Sequence, residues 1–306
     1  MNIREWTLPV FTILLQLAAG VLISLWIVRA FNKRKIGLEV MDQISRYPLV
    51  VVFVTILTAM IGAHFHLSQP LLSILSVLNF RSAWLSREIA FTIFFLVFTA
   101  GLLDLTWYIA GHNWLKDILG WITILFGFLT IYSMGSVYLL RTQPVWNTPV
   151  TMLSFFGTTI LLGVTALPLI FILDIKFIQT RSTTNVEIRQ MILKRSLLGF
   201  TIVAALAAGA IIACNLYNVA YLRTGNIAAQ TGLQLLFGLY KPLLDIRILT
   251  AGVGLCLCLY VVLKVLWQNK PVNELVPLFF LSFMLIMVSE VLGRILFYAT
   301  SVRIGL

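Results

Sequence analysis

The chain has 306 residues, 60% of them hydrophobic and only 11% charged, with a net charge of +11. A soluble domain carries about 25% charged residues, so this composition excludes one; the apolar residues also come in long runs instead of alternating or 3.6-residue stripes, which marks an integral membrane protein. The basic excess does not read as nucleic-acid binding, because Lys and Arg gather between the apolar runs or at their ends, where they set topology and meet anionic membrane lipid.

Eight runs reach the ~20 apolar residues that a bilayer requires. They cover residues 8–28, 47–66, 88–110, 116–140, 149–173, 196–221, 246–267 and 275–300. The expected fold is all-α: a polytopic bundle of eight transmembrane helices forming a single integral membrane domain over 1–306. The first run exceeds the roughly 7–15 residues of a signal-peptide core, and Arg4 with Glu5 makes no basic leader. It is read as the first span.

Thirteen basic residues flank the turns after spans 1, 3, 5 and 7: Arg29, Lys33, Arg34, Lys35, Arg46, Lys116, Lys176, Arg181, Arg189, Lys194, Arg195, Lys264 and Lys270. Eight flank the other side: Arg4, Arg81, Arg87, Arg141, Arg223, Lys241, Arg247 and Arg303. The positive-inside rule then places both termini outside, on the periplasmic face of a bacterial inner membrane. Three larger connections fall on that outer face: 67–87, 141–148 and 222–245. Leu71, Leu72, Leu75 and Leu78 in the first, and Leu233, Leu236, Phe237 and Tyr240 in the third, suit short membrane-lying helices or a docking platform for another subunit.

The end of span 2 reads Ile61-Gly62-Ala63-His64-Phe65-His66, and the start of span 3 reads Ser86-Arg87-Glu88. Both lie at the outer surface. A histidine and a carboxylate offered together at that depth suit the removal of protons from a lipid-soluble quinol. The bland roles are a solvated interfacial His66 and a first-turn Glu88 favoured by the helix dipole, with Ser86 as its cap. Haem is not expected, because His64 and His66 point to roughly opposite faces and His112 lies at the other surface, in the short inner loop after span 3. Nor is an iron–sulfur cluster: the only cysteines are Cys214, Cys256 and Cys258, within apolar segments and read as buried thiols.

Span 8 carries Glu290, Arg294 and Tyr298 at four-residue spacing on one helix face. Charges at that depth cost about 2.5–3.5 kcal/mol each at the helix centre, so Glu290 and Arg294 should pair and face the interior. They read either as a structural ion pair or as a pair that polarises a quinone oxygen. Gln16 and Arg247 lie toward the same side and join the candidate set. Asp104, nearer the inner end, has no assigned role. Trp146, between Pro144 and Pro149, reads as an interfacial anchor.

In this order, the motifs resemble the membrane-anchor subunit of the anaerobic dimethyl sulfoxide reductase family (the DmsC type), over nearly the whole chain. The likeness rests on Glu5-Trp6 with Phe11-Thr12 and Gln16, His66-Leu67 with Pro70, Glu88-Ile89-Ala90, Pro144 with Trp146, Arg247-Ile248, and Glu290-x-x-Gly293-Arg294-x-x-Phe297-Tyr298. The resemblance implies a complex in which a molybdopterin catalytic subunit reduces the terminal acceptor and a four-cluster iron–sulfur subunit feeds it electrons. The anchor would bind and oxidise menaquinol, with His66 and Glu88 as the quinol-site residues and proton acceptors, and would be no enzyme on its own. The chain departs from the pattern in His64, in Leu67-Ser68-Gln69 before Pro70, and in the polar stretch 174–195 expected as an inner loop; the terminal acceptor stays open. Two other readings stand beside this one: a secondary transporter, which would explain Asp104, Glu290 and Arg294 but calls for inverted repeats that the sequence does not display, and a purely structural anchor.

Overall fold

A computed structural model describes residues 7–64, 77–109, 111–179, 186–267 and 272–304. These residues form nine α-helices: α1 (Thr7–Ile36), α2 (Leu38–His64), α3 (Trp84–Tyr108), α4 (Asn113–Val137), α5 (Pro149–Gln179), α6 (Val186–Arg223), α7 (Ile227–Phe237), α8 (Lys241–Trp267) and α9 (Val276–Ala299). All but α7 are long and apolar enough to cross a membrane. A helix is the form in which a single segment satisfies its own backbone polar groups in hydrocarbon, so long apolar runs leave the protein little choice. Eight crossings bring the starts of α1, α3, α5 and α8 to one end of the bundle, together with the end of α9. We call this the terminus-bearing end.

The helices outrun the apolar stretches. Helix α1 continues through Lys33, Arg34 and Lys35 in its last turn, where cations complement the helix dipole. It stops at Gly37, whose φ of +93° reverses the chain into α2. The stretch 174–195 is mostly helix, not loop: α5 runs to Gln179 and α6 starts at Val186. The reason is a buried ion pair, Arg189 with Asp174, that ties the two helices beyond their apolar parts. Helix α3 starts at Trp84 with Ala83 as its cap, so Ser86 lies buried inside the helix and caps nothing.

Helices α1 and α5 form the centre. About two thirds of the apolar window of α1 and 72% of that of α5 are buried, against 28–44% for the other spans. They touch backbone to backbone: a Cβ on Gly20 would stand 2.0 Å from the Thr159 carbonyl oxygen, and one on Gly163 would stand 2.2 Å from the Gly20 backbone. Small residues at a crossing are how membrane helices gain packing without a hydrophobic drive between them. Trp26 of α1 fills the space above Gly120 of α4 in the same way. Of the cysteines, Cys258 is buried and Cys214 half-buried, but Cys256 is exposed, because α8 packs through only one face.

Helix α7 answers the expectation of a short helix in 222–245. Asn226 caps it by accepting from the Ala229 N–H at 3.0 Å. Leu233 and Ala229 pack on Val145 and Leu222, and Gly232 lies against Val145 and the Thr300 carbonyl. Its apolar face thus docks on the 141–148 loop and the end of α9, while Phe237 is exposed and Tyr240 falls beyond the helix. The counterpart expected over 71–78 lies outside the described residues except for its last positions, where Leu78 is exposed.

At the opposite end, five charges form one network. Arg29 bridges Asp42 at 2.6 Å and Asp117 at 3.0 Å; Lys116 reaches Asp42 at 2.5 Å and Lys33 reaches Asp117 at 2.6 Å. Arg29 and Lys116 are each 1% exposed. These two, and Arg189, read in the sequence as turn-flanking charges. The fold buries them because carboxylates on neighbouring helices meet them there. The network ties α1, α2 and α4 together.

Candidate functional site

The terminus-bearing end holds a second polar group, surrounded by aromatic rings. Gln16 of α1, Thr158 of α5 and Glu290 of α9 each sit about 13 Å in from their helix ends at 1.5 Å per residue. The three are therefore level. Gln16 is fully buried; its Nε2 donates to the Phe155 carbonyl at 2.9 Å and its Oε1 accepts from Arg294 Nη2 at 3.0 Å. The Thr158 hydroxyl donates to Glu290 Oε2 at 2.5 Å.

The expected Glu290–Arg294 ion pair is not formed among the described residues. Each has its own partner on another helix. Arg294 turns instead onto aromatic faces, its guanidinium carbon 3.7 Å from the Phe155 ring centroid and 5.6 Å from that of Phe297. Arginine takes such positions because its planar, weakly hydrated cation stacks on rings. Its Nε is buried without a partner, leaving one donor unspent in the heart of the site.

Glu88 is 4% exposed. It was expected at the surface, in the first turn of its helix. The helix begins a turn earlier, at Trp84, and carries the carboxyl into the bundle. Two phenols stand beside the same rings: Tyr138 packs on Phe155 and Phe297, and its hydroxyl lies 2.6 Å from that of Tyr298. Glu88 and Arg294 both lie within electrostatic range of Tyr138. Around them close Trp146, Phe155 and Phe297. Trp146 stacks on Phe297 at 5.3 Å between centroids, its ring also edge-on to Tyr138, and its indole N–H donates to the Phe297 carbonyl at 2.7 Å. It packs as a wall of the site.

Arg247 of α8 lies against Gly293, the residue beside Arg294 on α9. A Cβ on Gly293 would come within 2.7 Å of its guanidinium, so this glycine makes the room the arginine occupies. The Ser289 hydroxyl donates to the Arg247 carbonyl at 3.0 Å. Arg247 and Arg294 thus approach adjacent positions of one turn of α9. His66 lies outside the described residues, as do Phe65 and 67–76.

Sequence reasoning therefore reached Gln16, Glu88, Glu290 and Arg294. It missed Tyr138, Phe155 and Thr158, because a Tyr, a Phe or a Thr in an apolar run carries no spacing signal. Tyr298 was visible only as the third member of a helix face.

Such a fold and site define a polytopic helical membrane protein with a buried polar cluster, walled by aromatic rings, at one end. The family model described as DMSO reductase anchor subunit (DmsC) matches residues 1–300, and the chain belongs to that family. It is similar to the C chain of the anaerobic dimethyl sulfoxide reductase of Haemophilus influenzae, 33% identical over 183 residues, which span 54% of this chain and 58% of that one. It is also 27% identical to two Escherichia coli K12 proteins, the YnfH chain of anaerobic dimethyl sulfoxide reductase over 314 residues and the anaerobic dimethyl sulfoxide reductase C chain over 309. Each of those matches covers 99% of this chain and 97% of the relative. The protein is thus a multi-pass membrane anchor of the dimethyl sulfoxide reductase type.

Proposed function

We propose that this cluster lines a chamber at the terminus-bearing end that oxidises menaquinol, and that the protein hands the electrons to an iron–sulfur subunit feeding a molybdopterin reductase. The observation that carries this reading is a buried acid and a buried cation, Glu88 and Arg294, both within electrostatic range of a hydrogen-bonded phenol pair, with aromatic rings packed on the arginine and the phenols. A quinol head group is a flat ring with two hydroxyls. Aromatic walls suit its faces, the free Nε of Arg294 suits an oxygen, and Glu88 suits a departing proton. His66 is assigned to the second oxygen, as the resemblance implies, with a ring whose unperturbed pKa near 6.5 lets it take a proton. Gln16 holds Arg294 in place, and the Thr158–Glu290 hydrogen bond fixes the neighbouring turn of α9.

The electron acceptor is assigned to the partner, a four-cluster iron–sulfur subunit docked on the face formed by 141–148, α7 and the 67–87 connection. In this reading that face and both termini are periplasmic, in a bacterial inner membrane. Reporter fusions after residues 40 and 185 are expected to report cytoplasm, and fusions after 75 and 235 periplasm; the reverse pattern would move the chamber to the other side. The chamber itself is tested with a fluorescent quinol-analogue inhibitor added to the full-length protein in membranes. Stoichiometric binding, displaced by menaquinol and weakened about tenfold or more in Arg294→Gln through loss of a charged hydrogen bond, is the expected result. No saturable binding would leave only the structural-anchor reading.

A further inference from the structure

At the opposite end of the bundle, an acid stands where neither membrane nor helix favours it. Asp104 lies one turn before the end of α3, about 6 Å from Tyr108 along the axis. It is exposed, on a surface that faces lipid. An anion there is disfavoured by the hydrocarbon boundary and by the carbonyl end of its own helix. Among the described residues no cation forms an ion pair with it. The nearby Arg46 of α2 does not supply one: its Nε and Nη2 donate to the Thr106 and Trp107 carbonyls, both at 3.4 Å, and its guanidinium lies over the Trp107 ring at 5.7 Å.

Asp104 opens instead into a recess of about 340 Å³ between α2 and α3, lined also by Phe53, Trp107 and Tyr108. A carboxylate among aromatic faces is the chemistry that holds an ammonium ion, by charge and by attraction to the rings. Arg46, whose guanidinium lies over the Trp107 ring that lines the recess, has donors left over for an anion. The depth is that of the lipid head groups. We propose that this recess binds a phospholipid whose head group joins a phosphate to a primary ammonium, as in phosphatidylethanolamine. The ammonium enters the recess against Asp104, and the phosphate stays at Arg46. A primary ammonium fits better than a quaternary one because it donates hydrogen bonds to the carboxylate. Phosphatidylglycerol has the phosphate but no cation for Asp104. The inference is independent of the quinol reading, because the recess and the chamber lie at opposite ends of the molecule.

The test is native mass spectrometry of the full-length protein in detergent, titrated separately with phosphatidylethanolamine, phosphatidylcholine and phosphatidylglycerol of equal acyl chains. One phosphatidylethanolamine is expected to be retained about tenfold more tightly than phosphatidylglycerol, with phosphatidylcholine between them. Asp104→Asn should erase the preference without lowering thermal stability, since the side chain is exposed. Arg46→Gln should weaken all three lipids alike. Equal binding of the three lipids by the unaltered protein, or an Asp104→Asn variant that keeps the preference, would overturn the proposal. So would a cross-linker on Asp104→Cys that captures a partner polypeptide in the intact complex, because the recess would then be a protein interface.

Discussion

Glu88→Gln is expected to remove menaquinol-driven reduction by the assembled complex while leaving dye-driven reduction unchanged. The dye feeds the catalytic subunits directly, so it bypasses the chamber. The substitution keeps the size of a side chain that is 4% exposed and removes only its ability to accept a proton. Positioned proton acceptors contribute about 10²–10⁴ in rate, so the quinol-driven rate should fall at least a hundredfold. His66→Ala should give the same split between the two assays. Glu88→Lys should be harsher, and its burial gives a second reason: a lysine cation in place of a side chain that is 4% exposed carries a large desolvation cost. Normal quinol-driven rates in assembled Glu88→Gln and His66→Ala complexes would place the site elsewhere. Loss of both quinol and dye activity would point to failed assembly, which the yield of complex reports independently.

Asp42→Ala should be the most damaging substitution at the other end. Asp42 receives both Arg29 and Lys116, whose side chains are each 2% exposed. Removing it leaves two buried cations with one remaining carboxylate, Asp117, which also serves Lys33. Breaking a buried pair by deleting one partner costs about 3–5 kcal/mol. A second substitution, Lys116→Met, should restore part of that loss when added to Asp42→Ala, because it withdraws one unpaired charge. Thermal unfolding of the purified protein, followed by loss of helical signal, measures both. An Asp42→Ala variant that melts with the unaltered protein would mean that water reaches Arg29 and solvates it. A double variant no more stable than the single would mean that Arg29 alone carries the cost.

These two ends differ in how far the sequence discloses them. The membrane class and the eight helices follow from apolar runs near 20 residues, since in hydrocarbon each backbone amide must find its partner within its own segment. That constraint is local, so composition and length determine it. The interior face of α9 was legible for a related reason: charged residues at four-residue spacing deep in an apolar run must turn away from lipid. Partner choice was not legible. Glu290 and Arg294 are neighbours on one helix, yet each bonds to a different helix, Thr158 on α5 and Gln16 on α1. Spacing along a helix shows that two side chains can meet, not which competitor reaches them first.

The sequence by itself determined that this protein spans a membrane, that it belongs with the dimethyl sulfoxide reductase anchors, and that Glu290 and Arg294 of its last span face the interior. Only the tertiary structure decided what those residues do. It drew Glu88 inward by starting α3 at Trp84, and brought Tyr138 to Tyr298 across 160 residues. It also packed Trp146 as a wall of the site, and made Arg29, Lys116 and Arg189 buried partners of carboxylates on other helices. The physical reason is the reach of the forces. Backbone satisfaction and burial of apolar surface act along one segment and leave a periodic trace. Aromatic stacking and buried hydrogen bonds act between helices distant in sequence, and they leave no trace until α1 and α5 pack glycine to glycine and set the depth of everything around them.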